Sequence, residues 1–230
     1  MDKEVRNFNR RYAKEYNIFR TIFFMSFLYI VVYGFYAIFY NYKIEGRENL
    51  PKKQSKNGKY IYAANHVSIF DPPMVVMGVH KPIAFMAKKE LFENNEKLSW
   101  LVKRLGAFAV DREKLGVSTI KTVKNLKNTD WVLGIFPQGT RQEAGEISHI
   151  TKGFASLAKS TKCGILPVGI TGTQEVKRFP FSGKIIVRIG KVIPYTDNVA
   201  GMVDDWEKSI EDLTGFKYVK DEKVEEKVGL

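Results

Sequence analysis

The sequence predicts an α/β domain: a largely parallel mixed sheet flanked by helices on both faces, preceded by an N-terminal membrane-associated helical segment. Three observations point there. Strand-like and helix-like stretches alternate from residue 59 to 171, the pattern of successive βα units. The strand candidate Trp131–Phe136 is apolar throughout, as strands covered on both faces are. Residues able to do chemistry (His66, Arg112, Gln138 and Arg141) each follow a strand-like run, where ligands bind in open α/β sheets.

Composition narrows the class. The 230 residues suit one globular domain with an appendage. At 44% hydrophobic and 27% charged residues, the chain is no disordered polymer. A formal charge of +12 calls for an anionic partner: nucleic acid, an anionic membrane or phosphate-bearing substrates. Nucleic acid is set aside, because no recognised binding motif is present and the apolar N-terminus would have no purpose. The single cysteine, Cys163, excludes an internal disulfide and reads as a small buried hydrophobe. Three scattered histidines and one cysteine give no zinc spacing.

In chain order, residues 1–17 carry Val5, Phe8, Tyr12 and Tyr16 at three- to four-residue steps, which predicts an amphipathic helix. Thr21–Tyr40 is free of charge and as a helix would be about 30 Å long, enough to enter or cross a bilayer. No small-residue cleavage site follows it, against a signal peptide; a buried core helix is the other alternative. Basic residues flank both ends, Arg10, Arg11, Lys14 and Arg20 before and Lys43, Arg47, Lys52 and Lys53 after. That lack of asymmetry suits a helical pair that enters and leaves on one face, broken at Tyr33-Gly34, more than a single span. The expected divisions are an anchor at 1–41, an α/β domain at 42–215 and a charged tail at 216–230.

Residues 50–58 read as a loop. Strands are expected at Lys59–Ala64, Pro82–Met86, Gly106–Arg112, Trp131–Phe136, Gly164–Thr171 and Lys184–Lys191. Helices are expected at Met74–Val79, Ser99–Leu105, Ser118–Asn128, Thr151–Ser160 and Val203–Leu213. The third of these shows its stripe at Ile120, Val123 and Leu126.

The stretch Asn65-His66-Val67-Ser68-Ile69-Phe70-Asp71-Pro72-Pro73 carries the chemistry. A histidine stands where a strand gives out, and an acid stands where prolines open a helix, in the N-cap position. On one continuous helix, residues five apart lie about 140° apart around the axis and do not meet. Across a loop they do, and Asp71 then fixes the tautomer of His66, leaving the other ring nitrogen free as a base. The alternative is a helix cap and a loop histidine with no further role.

These residues, taken with three later stretches, resemble the glycerolipid acyltransferases, specifically the bacterial 1-acyl-glycerol-3-phosphate acyltransferases. Asn65–Asp71 matches the histidine–four residues–aspartate block. Gly106–Arg112, Phe136-Pro137-Gln138-Gly139-Thr140-Arg141 and Ile165-Leu166-Pro167-Val168-Gly169 resemble the other three, in order. The likeness covers about residues 42–195. One departure stands out: Gln138 occupies a position where the family usually carries glutamate, so the hydrogen-bonding capacity is kept and the charge is lost.

The resemblance implies direct acyl transfer. His66 is the base, Asp71 its partner, and the acceptor is lysophosphatidic acid; glycerol-3-phosphate or another lysophospholipid is the alternative acceptor. The donor is an acyl-carrier protein or coenzyme A thioester, and no metal or cofactor is expected. It implies a phosphate held by Arg112 and Arg141, with Lys88 or its neighbour Lys89 as a further contact. Gln138, Gly139 and Thr140 are expected at the substrate, with Gln138 bonding either a substrate hydroxyl or the loop itself, and Gly139 serving either as a turn residue or, like the fourth block, as a backbone N–H donor to the oxyanion. The expected location is the cytoplasmic face of a bacterial inner membrane. A non-catalytic protein that only tethers anionic lipid would need neither His66 nor Asp71.

Overall fold

The computed structural model describes residues 13–34, 40–51, 60–88, 90–93, 96–110, 117–177 and 183–219. Its strands are β1 (Asn41–Glu45), β2 (Tyr60–Ala64), β3 (Ile83–Lys88), β4 (Phe108–Val110), β5 (Val132–Ile135), β6 (Glu146–Ile147), β7 (Gly164–Thr171), β8 (Lys184–Ile189) and β9 (Lys217–Tyr218). Seven of them make one sheet in the order β1-β8-β7-β2-β5-β3-β4. The run β7-β2-β5-β3-β4 is parallel throughout. β8 turns antiparallel to β7 and carries β1 parallel to itself, so the sheet is mixed at one edge only. β6 and β9 pair apart from it.

The helices are α1 (Ile18–Phe27), α2 (Asp71–Val79), α3 (Glu90–Glu93), α4 (Glu96–Arg104), α5 (Val117–Leu126), α6 (Gly153–Thr161) and α7 (Val199–Thr214). α1 opens the expected apolar helical segment and α3 was not expected; the other five overlap the expected helices, α5 and α6 a residue shorter and α2, α4 and α7 two to five residues longer. α7 shows why. Asn198 caps it by accepting from Gly201 N–H at 3.0 Å, and Gly215 ends it in the left-handed region. Met202, Val203, Trp206 and Ile210 form its buried stripe, and Trp206 Nε1–H donates to the Ala63 carbonyl of β2 at 3.0 Å. Cys163 is buried and free.

The parallel strands share one carboxyl edge, so the chain delivers His66 after β2, Lys88 at the end of β3, the Phe136–Arg141 loop after β5, and Gly172-Thr173 after β7 to the same side of the domain. Two strand pairings were not legible. β1 is a half-exposed edge strand directly after the apolar segment, and β6 and β9 are two residues each, too short to show a period.

At the N-terminus, Ala13–Glu15 is a single 3-10 turn, and α1 continues as a π-helical turn, Leu28–Tyr33. At the expected break, the π-helical turn ends at Tyr33 and Gly34 still has helical φ and ψ. The rest of the expected helical pair, at 35–39, and residues 1–12 lie outside the described residues. No helix among the described residues is long and apolar enough to cross a membrane. The segment is also not the fully buried core helix held as an alternative. Its inner side, with Tyr16, Phe24 and Leu28, enters the core; the rings of Tyr16 and Phe24 pack at a tilt on Trp131, whose indole N–H donates to Thr21 Oγ1 at 2.8 Å. Its outer side leaves Ile18, Phe19, Ile22, Phe23, Ile30 and Tyr33 exposed. Farther along, His80 caps α2 in the left-handed region, and its ring joins Tyr29 and Arg47.

Candidate active site

Asp71 does not cap α2. It is the first residue of that helix, and its carboxylate turns back over the loop before it. The two prolines explain the reversal. Pro72 and Pro73 have no N–H, so two of the first-turn donors that a cap would serve do not exist. Asp71 N–H meets the Ser68 carbonyl at 3.2 Å, and the carboxylate is left free. Oδ2 accepts from Val67 N–H, Ser68 N–H and His66 Nδ1–H, each at 2.7 Å. Oδ1 accepts from Thr173 Oγ1–H at 2.6 Å. The Asp71 side chain is fully buried and that of His66 is 17% exposed. With its proton on Nδ1, His66 presents Nε2 as an acceptor, and Nε2 has no hydrogen-bond partner among the described residues.

The loop after β5 holds the imidazole in place. Gln138 Oε1 accepts the His66 backbone N–H at 2.7 Å, and Gln142 N–H donates to the His66 carbonyl at 2.8 Å. The Phe136 ring stacks on the imidazole, centroids 4.1 Å apart and planes 20° apart, and Phe85 stacks behind Phe136 at 5.3 Å. Thr151 pins the loop by donating twice to the Pro137 carbonyl. His66 is thus fixed through its backbone, through Nδ1 and through one ring face.

A cavity of about 840 Å³ opens beside it. His66, Lys88, Gly139, Thr140 and Arg141 line it, and most of the remaining wall is apolar, including Phe24, Phe27 and Leu28 from the N-terminal segment. The size suits a ligand with a long apolar part and a few polar groups. Lys88 and Arg141 are exposed cations on this wall. Arg112 and Lys89 lie outside the described residues. No cluster of His, Cys, Asp and Glu suited to a metal occurs among the described residues.

At two residues the structure favours the structural alternative over the substrate-contacting one. Gln138 is buried and does not line the cavity; its amide holds the backbone of His66 rather than a substrate. Gly139 uses its N–H to close a turn on the Phe136 carbonyl at 2.9 Å, with φ at +72°, so it has no donor to give an oxyanion. The fourth block is likewise committed: it is buried β7 strand, its ladder paired on both sides. The backbone N–H groups of Thr140 and Arg141 have no partner among the described residues, and both residues line the cavity. Sequence reasoning also missed Thr173, Gln142 and the part played by Phe136. For Thr173 a signal existed, since it stands just past a strand exit on the same sheet edge as the other site residues.

Known proteins resemble this chain in sequence and in fold. The acyltransferase family profile matches residues 41–171. A 1-acyl-sn-glycerol-3-phosphate acyltransferase of Bacillus subtilis is 31% identical over 180 residues, which cover 74% of this chain and 87% of that protein. One from Streptococcus pneumoniae is 34% identical over 151 residues, 65% of this chain and 55% of the relative's length. The crystal structure of the Thermotoga maritima 1-acyl-sn-glycerophosphate acyltransferase superposes with a TM-score of 0.60, covering 83% of this chain and 79% of that one. At 24% identity, that superposition speaks to the fold alone.

Proposed function

The chain belongs to the acyltransferase family, and on that premise we propose that it moves a fatty acyl group from a thioester to the sn-2 hydroxyl of lysophosphatidic acid, giving phosphatidic acid. The observation that carries the reading is the His66–Asp71 pair: Nδ1 tied to a buried carboxylate, Nε2 unpartnered, beside a large, mostly apolar cavity with cations on its wall. The names of the relatives supply the acceptor.

The chemistry follows from the atoms. His66 Nε2 takes the hydroxyl proton as that oxygen attacks the thioester carbonyl. Asp71 stabilises the imidazolium that forms and keeps it oriented. The N–H groups of Thr140 and Arg141 are placed in the proposed role of donors to the tetrahedral oxyanion. Collapse forms the ester and expels the thiolate, which takes the proton back from Nε2. The guanidinium of Arg141 and the ammonium of Lys88 hold the phosphate, and Arg112 is assigned the same role by its place in the second block. The apolar wall receives acyl chain. The scheme uses no cofactor; the acyl-carrier protein or coenzyme A thioester is a co-substrate.

Membrane attachment belongs to the same proposal. Phe19 is 79% and Ile30 76% exposed on the outer side of the N-terminal segment, a large apolar face of the kind that marks an interaction surface. The charge of +12 favours an anionic lipid surface, here the cytoplasmic leaflet of a bacterial inner membrane. The test is acyl transfer to lysophosphatidic acid from each thioester in turn. The wild-type chain should form phosphatidic acid, and His66→Ala should lose about 10²–10⁴-fold in rate while remaining folded. Near-normal turnover by a folded His66→Ala protein would overturn the reading.

A further inference from the structure

The hydrogen bonds around Asp71 reach beyond the histidine–aspartate pair. Asp71 Oδ2 has three donors and Oδ1 has one, the hydroxyl of Thr173, which is itself buried. Thr173 is 102 residues along the chain, just past the end of the strand that pairs with β2, and its placement is built. β7 ends at Thr171, and Gly172 makes the turn with φ at +88°, where a Cβ would sit 2.1 Å from the Lys184 carbonyl oxygen. Only glycine fits there. Just upstream, Asn65 clamps the strand end: its Nδ2 donates to the Ile170 carbonyl at 2.9 Å, and its Oδ1 accepts Ile170 N–H at 2.7 Å. The residue immediately before the base therefore fixes the strand end from which Thr173 springs, and Thr173 returns to the partner of that base.

We infer that Thr173 is a positioning residue for acyl transfer: its hydroxyl donates to Asp71 Oδ1 and so holds Oδ2 toward Nδ1 of His66. A carboxylate turns about Cβ–Cγ in a broad, roughly two-fold well; the Val67 and Ser68 N–H groups grip it at Oδ2, and the Thr173 hydroxyl adds the grip on Oδ1 that fixes the remaining rotation. A hydroxyl donating to a carboxylate is among the stronger hydrogen bonds available for that. Asp71 accepts from every group around it, so the Thr173 hydroxyl donates to it and does not accept.

The inference rests on the His66–Asp71 reading, and the experiment separates the two. Thr173→Val keeps the shape of the side chain and removes the donor; Thr173→Ser keeps the donor. Steady-state rates for lysophosphatidic acid and for an acyl thioester are measured on the full chain at a lipid surface, together with Tm. Thr173→Val should lower kcat about ten- to a hundredfold, the range for a lost hydrogen bond to a charged group. Both KM values should stay within about twofold, since catalysis rather than binding is affected, and Thr173→Ser should recover most of kcat. If the valine protein does not fold, Thr173→Ala is judged by the same criteria. Full kcat in the donor-less variant overturns the inference, as do equal losses with valine and serine or a loss confined to KM. His66→Ala and Asp71→Asn proteins with normal rates would instead sink the acyl-transfer reading. Their loss beside an unaffected Thr173→Val protein sinks only this inference.

Discussion

Gln138 shows how one side chain serves a reaction without touching its substrate. Its Oε1 takes the His66 backbone N–H, which also fixes which end of the amide is oxygen. Its Nε2 is buried with no partner, a situation that costs about 1–3 kcal/mol. A glutamate at this position accepts the same N–H and has no donor to leave unpaired. Gln138→Glu is therefore expected to retain turnover. Gln138→Leu should lower kcat at least about tenfold, because the His66 N–H loses its acceptor and the base its anchor. Measured kcat for the two variants decides: an inactive Gln138→Glu protein, or an unimpaired Gln138→Leu one, would show that the loop holds His66 by other means. At this scale the sequence told half the story. His66 and Asp71 were readable because strand end, loop and proline-led helix are neighbours in the chain. The grips of Gln138, Gln142 and Thr173 on them were not, because each depends on strands that come together only in the finished sheet.

The N-terminal segment is the element whose outcome departed most from its pattern. Twenty uncharged residues, Thr21–Tyr40, suggested one lipid-facing run, yet its inner side is tied to the domain through Trp131, Thr21 and the rings of Tyr16 and Phe24. Hydropathy alone does not separate a helix apolar on its lipid side from one apolar on both sides. That distinction needs the partner surface, and Trp131 lies 110 residues away from Thr21. The outer side stays free to meet lipid. Phe19→Asp combined with Ile22→Asp should weaken cosedimentation with anionic vesicles by about tenfold or more, since both side chains are exposed and, under the proposed attachment, each buries apolar area in lipid worth on the order of 1.5–3 kcal/mol. Tm should stay within a few degrees, because neither residue enters the core. Unchanged vesicle binding would move the anchor elsewhere on the chain.

Across the whole molecule, the order of the strands was the part that sequence could frame but not write. Alternation of strand and helix implied a parallel sheet; that β8 turns against β7 and brings β1 in at the edge rests on long-range pairing. One feature joins the domain to its surroundings. The segment that turns Phe19, Ile22 and Phe23 outward also contributes Phe24, Phe27 and Leu28 to the cavity beside His66. A single helical segment is thus both a wall of the proposed acyl site and the proposed floor on the bilayer, so the two proposed binding events share one mechanical part. Their free energies are then coupled, and the coupling is reciprocal: whatever factor a bound acyl chain adds to membrane affinity, the membrane adds to acyl-donor affinity. A non-transferable acyl thioether should tighten vesicle binding, and vesicles should tighten thioether binding, by the same factor in two independent titrations. Equal affinities with and without the second ligand would mean that the wall and the floor of this helix move independently.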